Sequence, residues 1–420
     1  MIIALSLFIL TYILMLTITK YKHFIAFGSA CIFVILGILP VGKILSEIDF
    51  NVLLMILGTM GLVSLFIESK MPELLAEFII ERTPNIKWMT VALAVFAGIV
   101  SAFIDNVATV LIIAPIVLVV AKKFKISPVI PIICISIFSN LEGAATLTGD
   151  TTSLLLAKEV GMNFFDFFFF NGKIGLFFIV QLSLIAAAIT LLILQRKNTN
   201  KIKCELNTKV TDYIPTILLC LSIVALIIAS FINTNFELIN GVICTSFFII
   251  GLVIKMIKNR SIKCVLPNIK DIDYETLLLL ASLFVVIGGI KEAGIINSIS
   301  DMFLNVGNNP LVMYTLIVFV SVVISAFIDN IPYVATMLPV ITTISLSSTI
   351  NPCLLYYGLI IGATLGGNFT PIGASANITA IGLLKKNGYE LDNKDYFKYS
   401  VPISLAAILT SYIIALLLFI

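Results

Sequence analysis

The hexapeptide SAFIDN stands at 101–106 and again at 325–330. Both copies lie in otherwise apolar, membrane-length sequence, and each puts a carboxylate, Asp105 or Asp329, where hydrocarbon is expected. An ionisable group at the bilayer centre costs about 2.5–3.5 kcal/mol on insertion scales. One such residue could be an accident of packing. Two in the same hexapeptide, 329 − 105 = 224 residues apart, indicate a duplicated site.

The register extends well beyond the hexapeptide. IDFNVLL (48–54) matches IDYETLL (272–278), Glu68 matches Glu292 and Pro115 matches Pro339. Gly143, Thr146 and Gly149 match Gly367, Thr370 and Gly373 at the same offset. The chain is 60% hydrophobic and only 12% charged, with a mean hydropathy of +1.14, whereas soluble domains are about a quarter charged. Apolar runs near the ~20 residues needed to cross a bilayer recur from end to end. The fold class is therefore an all-α polytopic membrane protein with no room for a soluble catalytic domain. Each half reads as three spans, a hairpin with a polar tip, a broken span and a last span. The expected segments are 2–19, 23–40, 51–68, 87–121, 129–160 and 173–195, then 213–232, 236–257, 275–292, 310–345, 352–384 and 399–420. The organisation is thus a first repeat over 1–195, a cytoplasmic linker over 196–212 and a second repeat over 213–420.

A hairpin enters and leaves on one side, so each half crosses five times and the second half is inverted. With both termini extracytoplasmic, all but four (Lys43, Lys158, Lys173 and Lys291) of the 26 lysines and arginines fall on the cytoplasmic side, as the positive-inside rule requires. The expected location is a cell membrane, spanned many times. The N-terminal MIIALSLFIL has no basic flank and 2–19 reads as a retained span, with a cleaved signal peptide as the alternative. Seven cysteines (31, 134, 204, 220, 244, 264 and 353) form no CxxC pair, so neither a zinc site nor a disulfide framework is suggested. GILPVGKI (37–44) falls short of a phosphate-binding loop because Ile44 replaces the Mg²⁺-binding hydroxyl. No HExxH or GxSxG motif or metal-ligand cluster is present, which argues against an enzyme, and nothing points to nucleic acid.

Non-helical backbone survives at membrane depth only where protein or a water-filled cavity satisfies it. Four stretches look non-helical: the two hairpin tips, GAATLTGD (143–150) and GGNFTPIG (366–373). Half-helix C-termini offer carbonyls to a cation and half-helix N-termini offer N–H groups to an anion or polar solute. Asp105 and Asp329 are expected at the C-terminal ends of the first hairpin arms, where the dipole disfavours a negative charge unless Na⁺ binds or a proton is taken up. Asn106 and Asn330 follow and can contact a substrate, with Thr109 one turn on and Asn140 leading into the first break. Gly143, Thr146, Gly149, Asp150 and Ser153 belong to the first break; Gly367, Asn368, Thr370, Gly373, Ser375 and Asn377 belong to the second. Asp150 and Glu142 have no acidic counterparts, since Ala374 and Gly366 stand there. Lys22 and His23 read as residues of the cytoplasmic face, Trp88 and the run FFDFFFFN (164–171) as interfacial anchors. Duplicated halves meeting at polar midplane residues are the pattern of a secondary transporter.

SAFIDNVATVLIIAP (101–115), SAFIDNIPYVATMLP (325–339) and GGNFTPIGASAN (366–377) resemble the ion transporter superfamily. The likeness is strongest to its branch of arsenical-pump membrane proteins, NhaD-type sodium–proton antiporters and melanosomal P proteins. It is weaker to the citrate and divalent-anion symporters. The resemblance covers nearly the whole chain. It implies elevator-like alternating access, a homodimer and, for some arsenical pumps, an external ATPase subunit. The first break departs from the branch pattern NIGGTATLIGDPPN: here it is NLEGAATLTGDTTS (140–153), with Glu142 in place of a glycine.

These readings lead to a secondary active transporter of a small ion or inorganic anion, with arsenite or another oxyanion foremost. Coupling to Na⁺ or H⁺ would run through Asp105 and Asp329, Na⁺ being the one metal ion expected. The alternatives are a Na⁺/H⁺ antiporter, a citrate-like di- or tricarboxylate symporter and an ion channel. The site carboxylates, with no arginine in any motif, favour a cation or neutral As(OH)₃, since a dicarboxylate site would often recruit arginine.

Overall fold

A computed structural model describes residues 1–200, 208–232, 236–307 and 309–420. Lys201, Lys203 and Cys204, read above as part of the linker, lie outside the described residues.

The first half contains α1 (Ile2–Thr17), α2 (Lys22–Ile35), the short α3 (Ile44–Glu47), α4 (Phe50–Glu68), α5 (Met71–Arg82), α6 (Ile86–Ser101), α7 (Asn106–Phe124), α8 (Val129–Gly143), α9 (Thr151–Val160) and α10 (Leu176–Leu194). The second half contains α11 (Ile214–Ser230), α12 (Ile239–Asn259), the short α13 (Leu266–Lys270), α14 (Tyr274–Glu292), α15 (Ile295–Leu304), α16 (Pro310–Ser325), α17 (Asn330–Ser347), α18 (Pro352–Gly366), α19 (Ser375–Lys386) and α20 (Asn393–Phe419). The expected hairpins are α6–α7 and α16–α17, and the expected broken spans are α8–α9 and α18–α19. Between α9 and α10 the phenylalanine run forms a two-stranded antiparallel ribbon, β1 (Phe169–Phe170) with β2 (Lys173–Ile174). Phe168 and Phe169 pack their rings at a tilt against Phe177 and Phe178 of α10.

Matching caps start matching helices. Asp49 accepts from Val52 N–H at 2.9 Å to open α4, and Asp273 accepts from Thr276 N–H at 2.9 Å to open α14. Asn85 and Asn309 do the same for α6 and α16. Each cap satisfies an N–H that the first turn leaves without a partner.

The helices sort into two packing groups. In the outer group α4 packs on α12 and α2 on α14, with α1 and α11 alongside. In the inner group α6 packs on α8, α16 on α18 and α10 on α20, while α7 meets α19 and α17 meets α9. These pairings exchange the halves: α7 against α19 is mirrored by α17 against α9. Direct packing between the groups includes α4 on α9 and α14 on α17, the Tyr12 hydroxyl of α1 donating to Pro332 O of α17, and Ile104 of the first hairpin tip in one buried cluster with Leu62 and Phe66 of α4. Further links are α5, which touches α4, α6 and α7, and α15, which touches α14 and α17.

The lengths depart from expectation in places. Among the described residues six helices (α4, α7, α10, α12, α14 and α20) are long and apolar enough to cross a bilayer. Helices α1, α2 and α11 are shorter, at 16, 14 and 17 residues. Helix α20 starts at Asn393, ahead of the expected 399, because Asp392 caps it through Lys394 N–H at 3.0 Å. Helices α5 and α15 were not among the expected segments.

Candidate functional site

The hairpin tips and helix breaks converge on one cavity of about 770 Å³ between the two packing groups. From the inner group it is lined by Asp105 and Asn106, Asp150, Asp329 and Asn330, and Ser375. From the outer group it is lined by Tyr12, Lys22, His23, Thr59, Asp273 and Glu275.

The aspartates do not end the first hairpin arms, and that expectation is corrected. Helix α6 stops at Ser101, residues 102–104 reverse the chain, and Asp105 has extended backbone immediately before α7. Its Oδ1 accepts from Val107 N–H at 3.0 Å and Ala108 N–H at 3.2 Å. Asp329 occupies the same position before α17. Aspartate is a strong N-cap residue, so the negative charge lies at the dipole end that favours it. The carbonyls at the ends of the first arms are not free either: Thr146 donates to Ala102 O and Thr370 donates to Ala326 O. These two bonds are related by the 224-residue offset and tie each break to its own hairpin.

The break glycines serve close approach, since their φ values are not positive. A Cβ on Gly149 would meet the carbonyl oxygens of Gly143, Ser101 and Ala102 at 2.6, 2.8 and 2.9 Å. On Gly373 it would meet those of Gly367, Ala326 and Ser325 at 2.6, 2.7 and 2.8 Å. Each break therefore gathers three carbonyl oxygens around one glycine.

Behind the cavity the halves are joined by buried amides. Asn140 donates to Thr364 O at 2.7 Å and to Asn368 Oδ1 at 3.1 Å, and Asn368 donates back to Ile137 O at 3.0 Å. Asn106 donates to Asn140 Oδ1 at 3.1 Å. Ser153 and Asn377, matched by the repeat, donate to Gly143 O and Gly367 O, each at 3.3 Å. Asp150 is 3% exposed and takes Asn330 Nδ2 of the opposite half and its own neighbour Thr152, each at 3.0 Å. Of the expected site residues Asp105, Asn106, Asp150, Asp329, Asn330 and Ser375 line the cavity, whereas Asn140, Ser153, Asn368, Asn377, Thr109 and the glycines and threonines of the breaks do not; the Thr109 hydroxyl, buried in α7, has no partner among the described residues. Glu142 is also buried away from the cavity, held at one oxygen by Gln181 Nε2 at 2.6 Å.

Three site residues were missed. Lys22, read as a cytoplasmic surface residue, places Nζ 2.5 Å from Asp329 Oδ2, with Ser375 Oγ at 2.9 Å from the same oxygen. His23 is buried at the cavity wall, 3.4 Å from Glu275. Tyr396 of α20 shares its hydroxyl proton between Asn368 O and Thr370 O, each at 3.0 Å, bracing the second break. A short basic run between two apolar segments carries no mark that one lysine turns inward, and Tyr396 lies outside every motif. Other ion pairs lie outside this cavity: Lys43 with Glu292, Lys255 with Glu68, and Lys158 with Asp49.

A helical membrane bundle whose duplicated, interrupted helices carry polar tips into one shared cavity is a membrane transport protein. The chain belongs to the CitMHS family, described as "Citrate transporter", whose profile matches residues 12–362. It is 28% identical over 426 residues to an uncharacterised transporter of Mycobacterium tuberculosis, covering 97% of each chain. It is 26% identical over 436 residues to the P protein of Mus musculus, covering 85% of this chain and 52% of that one. Among solved structures, the YdaH transporter of Alcanivorax borkumensis superposes with a TM-score of 0.60 at 14% identity, covering 89% of this chain and 86% of that one. MtrF of Neisseria gonorrhoeae, from a class of antimetabolite efflux pumps, gives 0.53 at 15% identity, covering 88% and 83%. At these identities the likeness concerns the fold alone.

Proposed function

We propose that the protein is a cation-coupled secondary transporter in which Na⁺ or H⁺ is taken up at Asp105, Asp150 and Asp329. The observation that carries this reading is the charge of the cavity. Six carboxylates line it (Asp105, Asp150, Asp271, Asp273, Asp329 and Glu275) against two lysines, Lys20 and Lys22. A low-dielectric cleft lined by one sign of charge concentrates ions of the other sign. Among the described residues no group of three or more His, Cys, Asp or Glu could hold a metal ion. A Na⁺ would therefore complete its shell from the hard oxygens that line the cavity beside the aspartates, such as those of Asn106, Asn330 and Ser375.

The cargo on this reading is a small solute without strong negative charge, arsenite as As(OH)₃ being the first candidate. A tricarboxylate would meet one well-placed ammonium, Lys22, which is already committed to Asp329. The acidity of the cavity also favours a second reading, Na⁺/H⁺ exchange, in which the cation is itself the cargo. Access alternates by movement of the inner group against the outer, with α5 and α15 as the connecting arms. The repeats 1–195 and 213–420 are inverted about the site, with 196–212 cytoplasmic. The cavity mouth at Lys20 and Asp271 is then the cytoplasmic one.

Asp105→Asn and Asp329→Asn test the reading. Each is expected to abolish gradient-driven transport while leaving folded protein in the membrane. Full coupled activity in both variants would reject the carboxylate assignment.

A further inference from the structure

The Lys22–Asp329 pair has features that a fixed structural ion pair lacks. Its partners belong to different packing groups: Lys22 opens α2, which packs on α1 and α14, whereas Asp329 is the tip of the α16–α17 hairpin. The lysine side chain is 27% exposed and the aspartate 14%, and both face the cavity. All of the pairing runs through one carboxylate oxygen, which takes both Lys22 and Ser375, while Oδ1 is buried without a partner among the described residues. Asp105, the counterpart in the other half, is held by backbone N–H groups instead. The two aspartates are thus prepared differently although the repeat makes them equivalent.

We propose that the Lys22 ammonium is a tethered competitor for the coupling cation, filling the cation position at Asp329 until Na⁺ or H⁺ displaces it. The inference rests on the cation-coupled reading above and adds to it which of the two aspartates is gated, and by what. A carboxylate neutralised by an ammonium at 2.5 Å has no charge left for a second monovalent cation, and a cation entering beside Lys22 would meet like charge. Lysine suits a displaceable role, being a compact charge on a flexible four-carbon stem. It also has somewhere to go. Asp273 and Glu275 at the start of α14 act on Lys22 electrostatically and line the same cavity. Lys20 and His23 are the other basic groups on that wall. When the cation takes Asp329, Lys22 is handed from an inner-group carboxylate to outer-group carboxylates. The exchange removes an ion pair that bridges the groups, so cation binding weakens the hold of the outer group on the inner one.

The test uses purified full-length protein, with Na⁺ titrated at fixed pH and, in Na⁺-free buffer, H⁺ titrated. Binding is read from cation-dependent thermal stabilisation and transport from liposome flux. Lys22→Gln is expected to reach half-saturation at about tenfold lower concentration of the coupling cation, the scale of a partly buried charge pair. Lys22→Arg keeps the charge on a fork that holds a carboxylate more persistently, so it should raise the half-saturation concentration rather than lower it, and Asp329→Asn should lose the response at this position. Lys22→Cys should behave like Lys22→Gln and return to wild-type affinity once 2-aminoethyl methanethiosulfonate restores the ammonium, with treated wild type as control. That arm reads the effect within a single folded sample. An unchanged half-saturation in Lys22→Gln and Lys22→Cys, with Asp329→Asn still abolishing the response, would overturn the competitor role and leave cation coupling standing. No response to Na⁺ or H⁺ in wild type or in Lys22→Gln would overturn the coupled reading and this inference together.

Discussion

At the scale of single residues, the site depends on atoms that must be absent as much as on those present. An alanine methyl at Gly149 or Gly373 would sit within 2.9 Å of three carbonyl oxygens, contacts the backbone cannot absorb without opening the break. Gly149→Ala and Gly373→Ala should each cost about 1–3 kcal/mol, as overpacked sites do, read as a fall in melting temperature with loss of flux. Gly28→Ala and Gly382→Ala, with nothing within 4 Å of the added methyl, are the controls and should stay near wild type. Thr370→Val keeps the volume but strands the Ala326 carbonyl, for an expected cost of about 1–3 kcal/mol. Thr370→Ser should recover most of it. The repeat made these positions visible in the sequence, because a glycine or threonine kept at a fixed offset inside an apolar run needs a reason. Their roles were less legible. The threonines were expected to line a binding site and are instead turned onto the hairpin carbonyls. The aspartates were placed one helix end away from where they are, since the three-residue reversal between α6 and α7 leaves no separate signal in SAFIDN. Lys22 was hidden by a general rule: basic residues between spans face the cytoplasm, and that rule says nothing of a side chain that reaches back into the bundle.

At the scale of elements, apolar run length and the 224-residue register located the hairpins and the broken spans. What they missed follows from how the elements are built. Helices α5 and α15 are 12 and 10 residues long, too short to register as spans, yet they connect the two packing groups. The ribbon at 169–174 is two residues per strand, below what residue alternation can reveal. Helix starts were better marked: Asn85 and Asn309 occupy equivalent caps on the two hairpins. Asn85→Ala and Asn309→Ala should each cost about 1 kcal/mol, and the double variant should equal their sum within about 0.5 kcal/mol because the two caps share no hydrogen-bond partner. Chemical denaturation in detergent measures all three. A strongly non-additive double variant would mean that the hairpins do not form independently.

At the scale of the whole molecule, two packing groups enclose an acidic cavity, and transport on this account is motion of one group against the other. Asp49 of the outer group and Lys158 of the inner group lie 3.7 Å apart, which makes them a reporter of that motion. A reducible bifunctional thiol cross-linker joining cysteines introduced at 49 and 158 should arrest flux and reducing it should restore flux, whereas undiminished flux through the cross-linked protein would exclude movement at this contact. The central claim is that the site carboxylates couple cargo movement to a cation gradient. Its most direct test is flux into proteoliposomes holding the purified protein, under imposed Na⁺ or pH gradients, with arsenite, phosphate, sulfate and citrate offered in turn. The account predicts either arsenite movement that collapses with the cation gradient and is lost in Asp105→Asn and Asp329→Asn, or Na⁺-driven pH change without added solute that is lost in the same variants. Solute flux that is indifferent to both gradients, and unaltered by the two substitutions, would contradict it.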